Sequence, residues 1–111
     1  FWASWCNPCV EEFPSFIELV KTFKGEIVLV AVSNDEKRED IEPFLRAFNL
    51  PQANIEVVWD KDRAIANSYG VAKIPESFLI GKDGKLIRKV SGTENWMQPA
   101  AVEYFRDLVS K

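Results

Sequence analysis

Histidine is absent from this chain of 111 residues, and cysteine occurs only twice. The first absence excludes a cysteine–histidine nucleophile pair and any histidine-ligated metal site. Two cysteines are also too few to close a four-ligand structural zinc site. The sequence therefore predicts no bound metal, and any chemistry at sulfur has to come from Cys6 and Cys9.

Strong charge of one sign and long apolar runs are also missing. Acids and bases are interspersed and the net charge is −3, so no basic stripe is available to bind nucleic acid. No apolar run reaches the roughly 18 residues that a membrane span needs, and no signal peptide is visible.

The chain does not begin with Met. We interpret its opening, FWASW, as the end of a buried strand whose beginning lies before Phe1.

Apolar residues, by contrast, make up 47% of the chain, enough for one hydrophobic core. We therefore expect a single domain that spans residues 1–111. Helical and strand patterns alternate, which is typical of an α/β fold with a parallel sheet that ends in an antiparallel hairpin. The predicted elements are a helix at 6–23, a strand at 26–33, a helix at 38–48, a strand at 55–59, a helix from the N-cap Asp60 to Tyr69, hairpin strands at 77–80 and 85–90, and a helix from 95 or 96 to 109.

Cys6, Asn7, Pro8 and Cys9 form a C-x-x-C motif at the junction of a strand and a helix. A sulfur at a helix N-terminus faces unpaired N–H groups and the positive end of the helix dipole, and both favour the thiolate. Cys9 lies one turn further on the same face, where it can attack a disulfide formed at Cys6. Asn7 and Pro8 influence how well the thiolate is stabilised and so tune the reduction potential. A purely structural disulfide is a poorer explanation of the motif, because a bridge that closes so short a loop restrains the unfolded chain only a little and adds little stability.

The string FWASWCNPC resembles the active site of the thioredoxin superfamily, whose core is W-C-x-P-C. The longer pattern C-x-x-C-x-x-E-F-P is similar to the TlpA/ResA/CcmG branch, the thiol–disulfide oxidoreductases of the bacterial cell envelope. The segment 60–92 resembles that branch too, as does an extra helix and strand between Asn34 and Trp59. The resemblance implies a thioredoxin-like fold with a mixed central sheet flanked by helices, a helix–strand insertion and a truncated first strand. It also implies that a strand and a membrane anchor or signal precede Phe1.

Further residues around the motif are candidates for the site. Glu12 matches the glutamate that in this branch accepts or delivers the thiol proton; the alternative is that it only complements the helix dipole. The resemblance implies that Ile74–Pro75 is a cis bond opposite the cysteines, with the Ile74 backbone offered to an extended substrate peptide. Trp5 is expected to shield the site and to give the partner an apolar surface. We interpret the remaining tryptophans as packing residues: Trp2, Trp59 and Trp96.

Together these features predict a thiol–disulfide oxidoreductase that reduces protein disulfides, with attack by Cys6 and resolution by Cys9. Its only redox group would be the Cys6–Cys9 disulfide, without a cofactor. A disulfide-forming oxidant stays open as an alternative, because direction depends on the reduction potential. A client-binding module that does not turn over is a second alternative, since fold alone does not establish function. A peroxidase is a weaker one, because the peroxide-reactive cysteine of such chains lies in a different local motif.

The resemblance also implies partners and a location. The client would be a protein disulfide, with apocytochrome c as a candidate because Glu76 follows Pro75 as in the cytochrome c maturation members. The electron donor would be a membrane-bound or soluble dithiol. We expect a monomer in the bacterial periplasm or cell envelope, with an anchor before Phe1 as an option and with no nucleic-acid partner.

Overall fold

The structure, a computed structural model, describes residues 1–111. Its elements are α1 (Asn7–Thr22), β1 (Leu29–Ser33), a 3₁₀ turn (Arg38–Ile41), α2 (Glu42–Ala47), β2 (Ile55–Trp59), a second 3₁₀ turn (Lys61–Arg63), α3 (Ala64–Tyr69), β3 (Glu76–Ile80), β4 (Leu86–Ser91) and α4 (Pro99–Val109). This order confirms the predicted α/β class. None of the helices combines the length and the apolar character that crossing a membrane requires.

Several element boundaries differ from the sequence-based expectation, each for a local reason. β1 begins at Leu29, because Glu26 still belongs to the turn after α1 and its N–H donates to the Phe23 carbonyl at 3.0 Å. The expected single helix at 38–48 is divided into a 3₁₀ turn and α2, with Pro43 in the first turn of α2, where a proline needs no N–H partner. The last helix begins only at Pro99, since the residue before a proline disfavours helical backbone.

Asp60 caps α3, as predicted, although it lies several residues before Ala64, where the helix begins. Both carboxylate oxygens accept backbone N–H groups of α3, those of Ile65 and Ala66, each at 2.8 Å. Asp62 and Arg63 lie between the cap and the helix in left-handed conformation. At the other end of α3, Gly70 has a φ of 70° and ends the helix, as the sequence predicted.

The four strands form two pairs. β1 and β2 are parallel, in a register that runs from Leu29 opposite Ile55 to Ser33 opposite Trp59. β3 and β4 are antiparallel and form the predicted hairpin.

The first two residues lie between these pairs. The Trp2 N–H donates to the Val32 carbonyl at 3.0 Å, and the Glu76 N–H donates to the Phe1 carbonyl at 3.4 Å. The expected mixed sheet is therefore present as two pairs of strands that are bridged at one end by the extended opening of the chain.

Helix α1 packs against two hydrophobic clusters. The larger one contains Trp2, both cysteines, Phe13 and Phe44, together with side chains of β1 and β2. The smaller one joins Leu19, Phe23, Trp96 and Phe105. One face of α1 thus carries the cysteines, Phe13, Ile17 and Val20 into the larger cluster, while Leu19 joins α4 in the smaller one.

One expectation about the first strand is wrong. The apolar run 26–33 is typical of a central strand buried on both faces, but Val28 and Val30 are 57% and 53% exposed. Side chains alternate along a strand, and Leu29 and Ala31 face the cluster under α1. Val28 and Val30 point the other way, and Val32 on the same face is 8% exposed, so only the part of the chain at 28–30 is open on one face.

Candidate active site

The residues before the first cysteine form a tight turn. The Cys6 N–H donates to the Ala3 carbonyl at 3.1 Å, which leaves Ser4 and Trp5 as the two central residues. Trp5 points outward and is 68% exposed. The turn converts the extended opening of the chain into α1, and it delivers Cys6 to the helix N-terminus, as predicted.

Cys6 is the N-cap residue of α1, and its sulfur takes the place of the usual side-chain oxygen. The Cys9 N–H donates to Cys6 Sγ at 3.3 Å. The two cysteines form a disulfide with their Cα atoms 5.3 Å apart. A reduced Cys6 at this position would have its negative charge met by an N–H donor and by the helix dipole. The structure therefore places the motif where a thiolate is stabilised.

Both cysteines of the motif are buried, and their exposed fractions differ only slightly. Cys9 is 2% exposed and Cys6 is 7% exposed, so both belong to the larger cluster. Asn7 and Pro8, by contrast, are exposed beside Trp5. Cys9 is the slightly less exposed of the two.

Glu12 is buried one turn beyond Cys9. Its Oε2 accepts the Trp96 indole N–H and the Glu94 backbone N–H, each at 2.9 Å. Burial raises the pKa of Glu12 above its ordinary value of 4.5, and the hydrogen bonds from Trp96 and Glu94 oppose that rise. A polar groove along the segment 93–95 opens onto this side chain. Glu12 can therefore exchange protons with solvent while it stays within the core.

Trp96 does more than the packing that the sequence suggested. Its ring stacks on Phe16 with the ring centroids 4.9 Å apart, while its N–H binds the Glu12 carboxylate. The two residues are 84 positions apart in the chain, and no local pattern signals the pair. Only the docking of α4 against α1 brings them together.

The Ile74–Pro75 bond is cis, as the resemblance implied. The Ile74 side chain packs against the cluster that contains both cysteines. Its backbone N–H and carbonyl make no hydrogen bond within the chain, whereas the Pro75 carbonyl accepts the Gly92 N–H at 2.9 Å. The loop thus has one backbone pair that is available to a partner.

Comparison with known proteins decides the family. The sequence model of a thioredoxin-like family matches residues 1–86. The chain belongs to this family.

Several curated relatives of this thioredoxin-like chain are named thiol-disulfide oxidoreductase ResA. It is 36% identical over 94 residues to the thiol-disulfide oxidoreductase ResA of Bacillus subtilis, covering 84% of this chain and 51% of the relative. It is 34% identical over 94 residues to ResA of Geobacillus thermodenitrificans, covering 84% of this chain and 52% of that one. The chain therefore spans about half the length of the curated relatives it matches.

Solved structures agree with this assignment. A Chlorobium tepidum protein described as a thiol:disulfide interchange protein DsbE matches with a TM-score of 0.77 and 32% identity, over 99% of this chain and 74% of that chain. An exposed lipoprotein thioredoxin of Streptococcus pneumoniae matches with a TM-score of 0.74 and 26% identity, over 96% and 79%. The thioredoxin-like fold and the ResA branch that the motifs suggested are both confirmed.

Glu76 follows the cis-proline of this thioredoxin-like chain and is buried at the start of β3. Its Oε2 lies 3.2 Å from Lys89 Nζ and accepts the Ser91 hydroxyl at 3.1 Å, while Oε1 is buried without a partner. The sequence suggested a link between this residue and the client. The structure shows a side chain that ties β3 to β4.

Sequence reasoning missed Asp35 altogether. This residue is 3% exposed and lies two positions after the end of β1, and its carboxylate accepts hydrogen bonds from Ser4 in the turn before Cys6. A polar residue after a buried strand was the one available signal, and nothing in the sequence pairs it with Ser4.

Proposed function

We propose that this chain is a thiol–disulfide oxidoreductase that reduces disulfides in other proteins. The observation that carries the proposal is Cys6 at the N-cap of α1, with the Cys9 N–H directed at its sulfur. The names of the ResA relatives and of the DsbE neighbour support the same activity. The only redox group that we propose is the Cys6–Cys9 disulfide, without a metal or an organic cofactor.

The first step is attack on the client. In the reduced chain the Cys6 thiolate attacks one sulfur of the client disulfide, so that a bond between Cys6 and that sulfur forms and the client S–S bond breaks. The second client sulfur leaves as a thiolate and takes a proton from solvent. The helix N-terminus lowers the cost of holding Cys6 as a thiolate before the attack.

The second step releases the client. Cys9 loses its proton and attacks Cys6, the Cys6–Cys9 disulfide forms, and the remaining client sulfur leaves as a thiolate. The client gains two electrons and the chain loses two. We assign the proton of Cys9 to Glu12, because burial holds the pKa of this carboxyl above its ordinary value and the polar groove reaches it.

Client binding is assigned to two surfaces beside the sulfurs. Trp5 offers an exposed indole next to Cys6. Ile74 offers a free backbone N–H and carbonyl to an extended peptide, in the manner of an added strand. These contacts are largely independent of client sequence, which suits a reductase that acts on unfolded or extended proteins.

The direction of electron flow and the setting are also part of the proposal. Similarity to ResA favours reduction, with a membrane-bound or soluble dithiol as the electron donor. The pneumococcal neighbour is an exposed lipoprotein, which supports a place in the bacterial cell envelope. Apocytochrome c is the client that we propose to test first, because the cytochrome c maturation members also carry a glutamate after the cis-proline, where this chain has Glu76. We expect the chain to act as a monomer.

The deciding measurement is the midpoint potential of the Cys6–Cys9 couple in graded thiol–disulfide buffers. A reductase is expected to titrate near or below roughly −270 to −230 mV, in the range of thioredoxin and the glutaredoxins. A value near about −120 mV would identify a disulfide-forming oxidant instead. Absence of a reversible two-electron titration would leave only a client-binding module.

Cysteine variants test the assigned roles. Cys9→Ala is expected to accumulate mixed disulfides with client proteins, because no resolving thiol remains, while Cys6→Ala should form none. The double variant is the matched control for non-covalent capture. Full function in Cys6→Ser would contradict catalysis and support the client-binding module.

A further inference from the structure

The carboxylate of Asp35 collects hydrogen bonds from the turn before Cys6. The Ser4 N–H lies 3.0 Å from Oδ2 and 3.2 Å from Oδ1, and the Ser4 hydroxyl donates to Oδ1 at 2.5 Å. Ser33, at the end of β1, donates its hydroxyl to Oδ2. The buried charge has no cationic partner, so these donors alone compensate it.

Asp35 is itself held from the strand side. Its backbone N–H donates to the Ser33 hydroxyl at 3.0 Å, and its carbonyl accepts the Trp59 indole N–H at 2.9 Å. The residue is thus fixed to the ends of β1 and β2, through Ser33, which is fully buried, and Trp59, which is partly buried. The strands hold the backbone of Asp35, and its carboxylate in turn can hold the groups that donate hydrogen bonds to its oxygens.

The bound partner is the first central residue of the active-site turn. The turn hydrogen bond joins Ala3 to Cys6 and leaves the Ser4 N–H without a partner inside the turn. Asp35 supplies that partner, and its hydrogen bonds with Ser4 tie the centre of the turn to the end of β1. Without them, the turn would keep its Ala3–Cys6 hydrogen bond, but Ser4 would lose its hydrogen bonds to the strand side.

We infer that Asp35 is a positioning residue for the reaction: through Ser4 it keeps Cys6 at the N-cap of α1 and holds Trp5 at the surface. The inference rests on the proposed function, since it concerns the same cysteine. Asp35 acts through Ser4 and is not assigned a contact with the client. Its loss would let Cys6 drift from the Cys9 N–H and the helix dipole, which disfavours the thiolate.

The test compares Asp35→Ala with Asp35→Asn in the full chain. The pH profile of iodoacetamide alkylation of Cys6 in the reduced protein reports the thiol pKa directly. Asp35→Ala is expected to shift the midpoint upward by at least half a pH unit and to slow reduction of insulin disulfides at least tenfold per folded molecule. Asp35→Asn retains an oxygen for the Ser4 N–H and is expected to show no upward shift.

Asp60→Ala is the matched control. It removes another buried carboxylate that accepts two backbone N–H groups, but those groups belong to α3 and not to the active-site turn. It is expected to lower stability while leaving the alkylation midpoint unchanged. If Asp35→Ala fails to fold, Asp35→Glu replaces it, because it keeps the charge and displaces the carboxylate by one methylene; the same upward shift is expected.

Two results would overturn the inference. One is an unshifted alkylation midpoint in Asp35→Ala, or in Asp35→Glu where that variant replaces it. The other is an equal downward shift in Asp35→Ala and Asp35→Asn, which would show that Asp35 acts on Cys6 only through its charge. A wild-type chain that exchanges with no protein disulfide would remove the proposed function, yet the alkylation midpoints would still decide the role of Asp35.

Discussion

At the residue scale, the chain buries three carboxylates around its candidate site and compensates each one differently. Glu12 accepts the Trp96 indole and a backbone N–H, Asp35 accepts donors of the active-site turn, and Glu76 forms an ion pair with Lys89. The pKa of Glu12 is raised, because its two hydrogen bonds do not fully offset burial. We therefore expect the stability of the chain to depend on the protonation of this carboxylate.

Glu12 is predicted to make stability depend on pH. Because its pKa is raised in the folded chain, its contribution to the free energy of unfolding is fully present below the ordinary value of 4.5 and is lost as pH rises through the folded pKa. Glu12→Gln lacks this dependence. The stability of the wild type relative to Glu12→Gln should therefore fall as pH rises across that window, measured by denaturant unfolding of the oxidised chain.

The neighbouring exposed glutamate provides the control. Glu11→Gln removes the same charge one position earlier, where no hydrogen bond or burial acts on it. Its unfolding free energy, measured over the same pH range, is the reference for loss of a glutamate charge at the exposed surface of α1. Parallel pH curves for Glu12→Gln and the wild type would show that Glu12 titrates alike in the folded and unfolded chains.

At the element scale, the helix ends show what each helix needs from its sequence. α1 begins at a sulfur and has Pro8 in its first turn, so its start serves the cysteines. The first turn of α3 donates backbone N–H groups to the Asp60 carboxylate, and the helix ends at Gly70, which has a left-handed conformation. Short helices depend strongly on such ends, since few internal hydrogen bonds support them.

Gly70 is predicted to stabilise α3 through its backbone conformation alone. A Cβ atom at this position would meet no atom within 4 Å, so Gly70→Ala introduces no clash. The variant still forces alanine into the left-handed region and is expected to lower the free energy of unfolding by about 1–2 kcal/mol. Gly70→Asn should cost clearly less, because asparagine tolerates this conformation. Equal losses in the two variants, measured by denaturant unfolding, would point to a different cause.

At the scale of the whole molecule, α1 connects two clusters that otherwise involve different strands. Phe13 belongs to the cluster with the cysteines and α2, whereas Leu19 belongs to the cluster with α4. Loss of either cluster removes support from the same helix. The chain should therefore unfold as one unit, which agrees with the single domain 1–111 that the sequence predicts.

Truncation of either cluster is predicted to weaken the entire chain. Phe13→Ala and Phe105→Ala should each lower the free energy of unfolding by about 3–5 kcal/mol, since both rings are buried. Circular dichroism and tryptophan fluorescence should report one coincident transition in each variant. Leu86→Ala, at an exposed position, is the control and should change stability by no more than about 0.5 kcal/mol. Two separate transitions would show that the clusters fold independently.

Much of the candidate site follows from the sequence by itself. The C-x-x-C at a helix start, the cis bond at Pro75 and the position of Glu12 one turn past Cys9 depend on short stretches of chain and on motif resemblance. Helix ends at Asp60 and Gly70 also follow from residue chemistry. These features are local. Each depends on residues within a few positions of one another, and over so short a stretch the backbone conformation largely determines how those residues lie.

The tertiary structure alone decided the features that depend on distant contacts. The bond from Trp96 to Glu12 spans 84 positions, and the bond from Ser4 to Asp35 spans 31. The exposed face of β1 also escaped prediction, because an apolar run does not reveal how many of its faces will be covered. The sequence determines which side chains can donate, accept or pack, whereas the docking of helices and strands determines which of them meet.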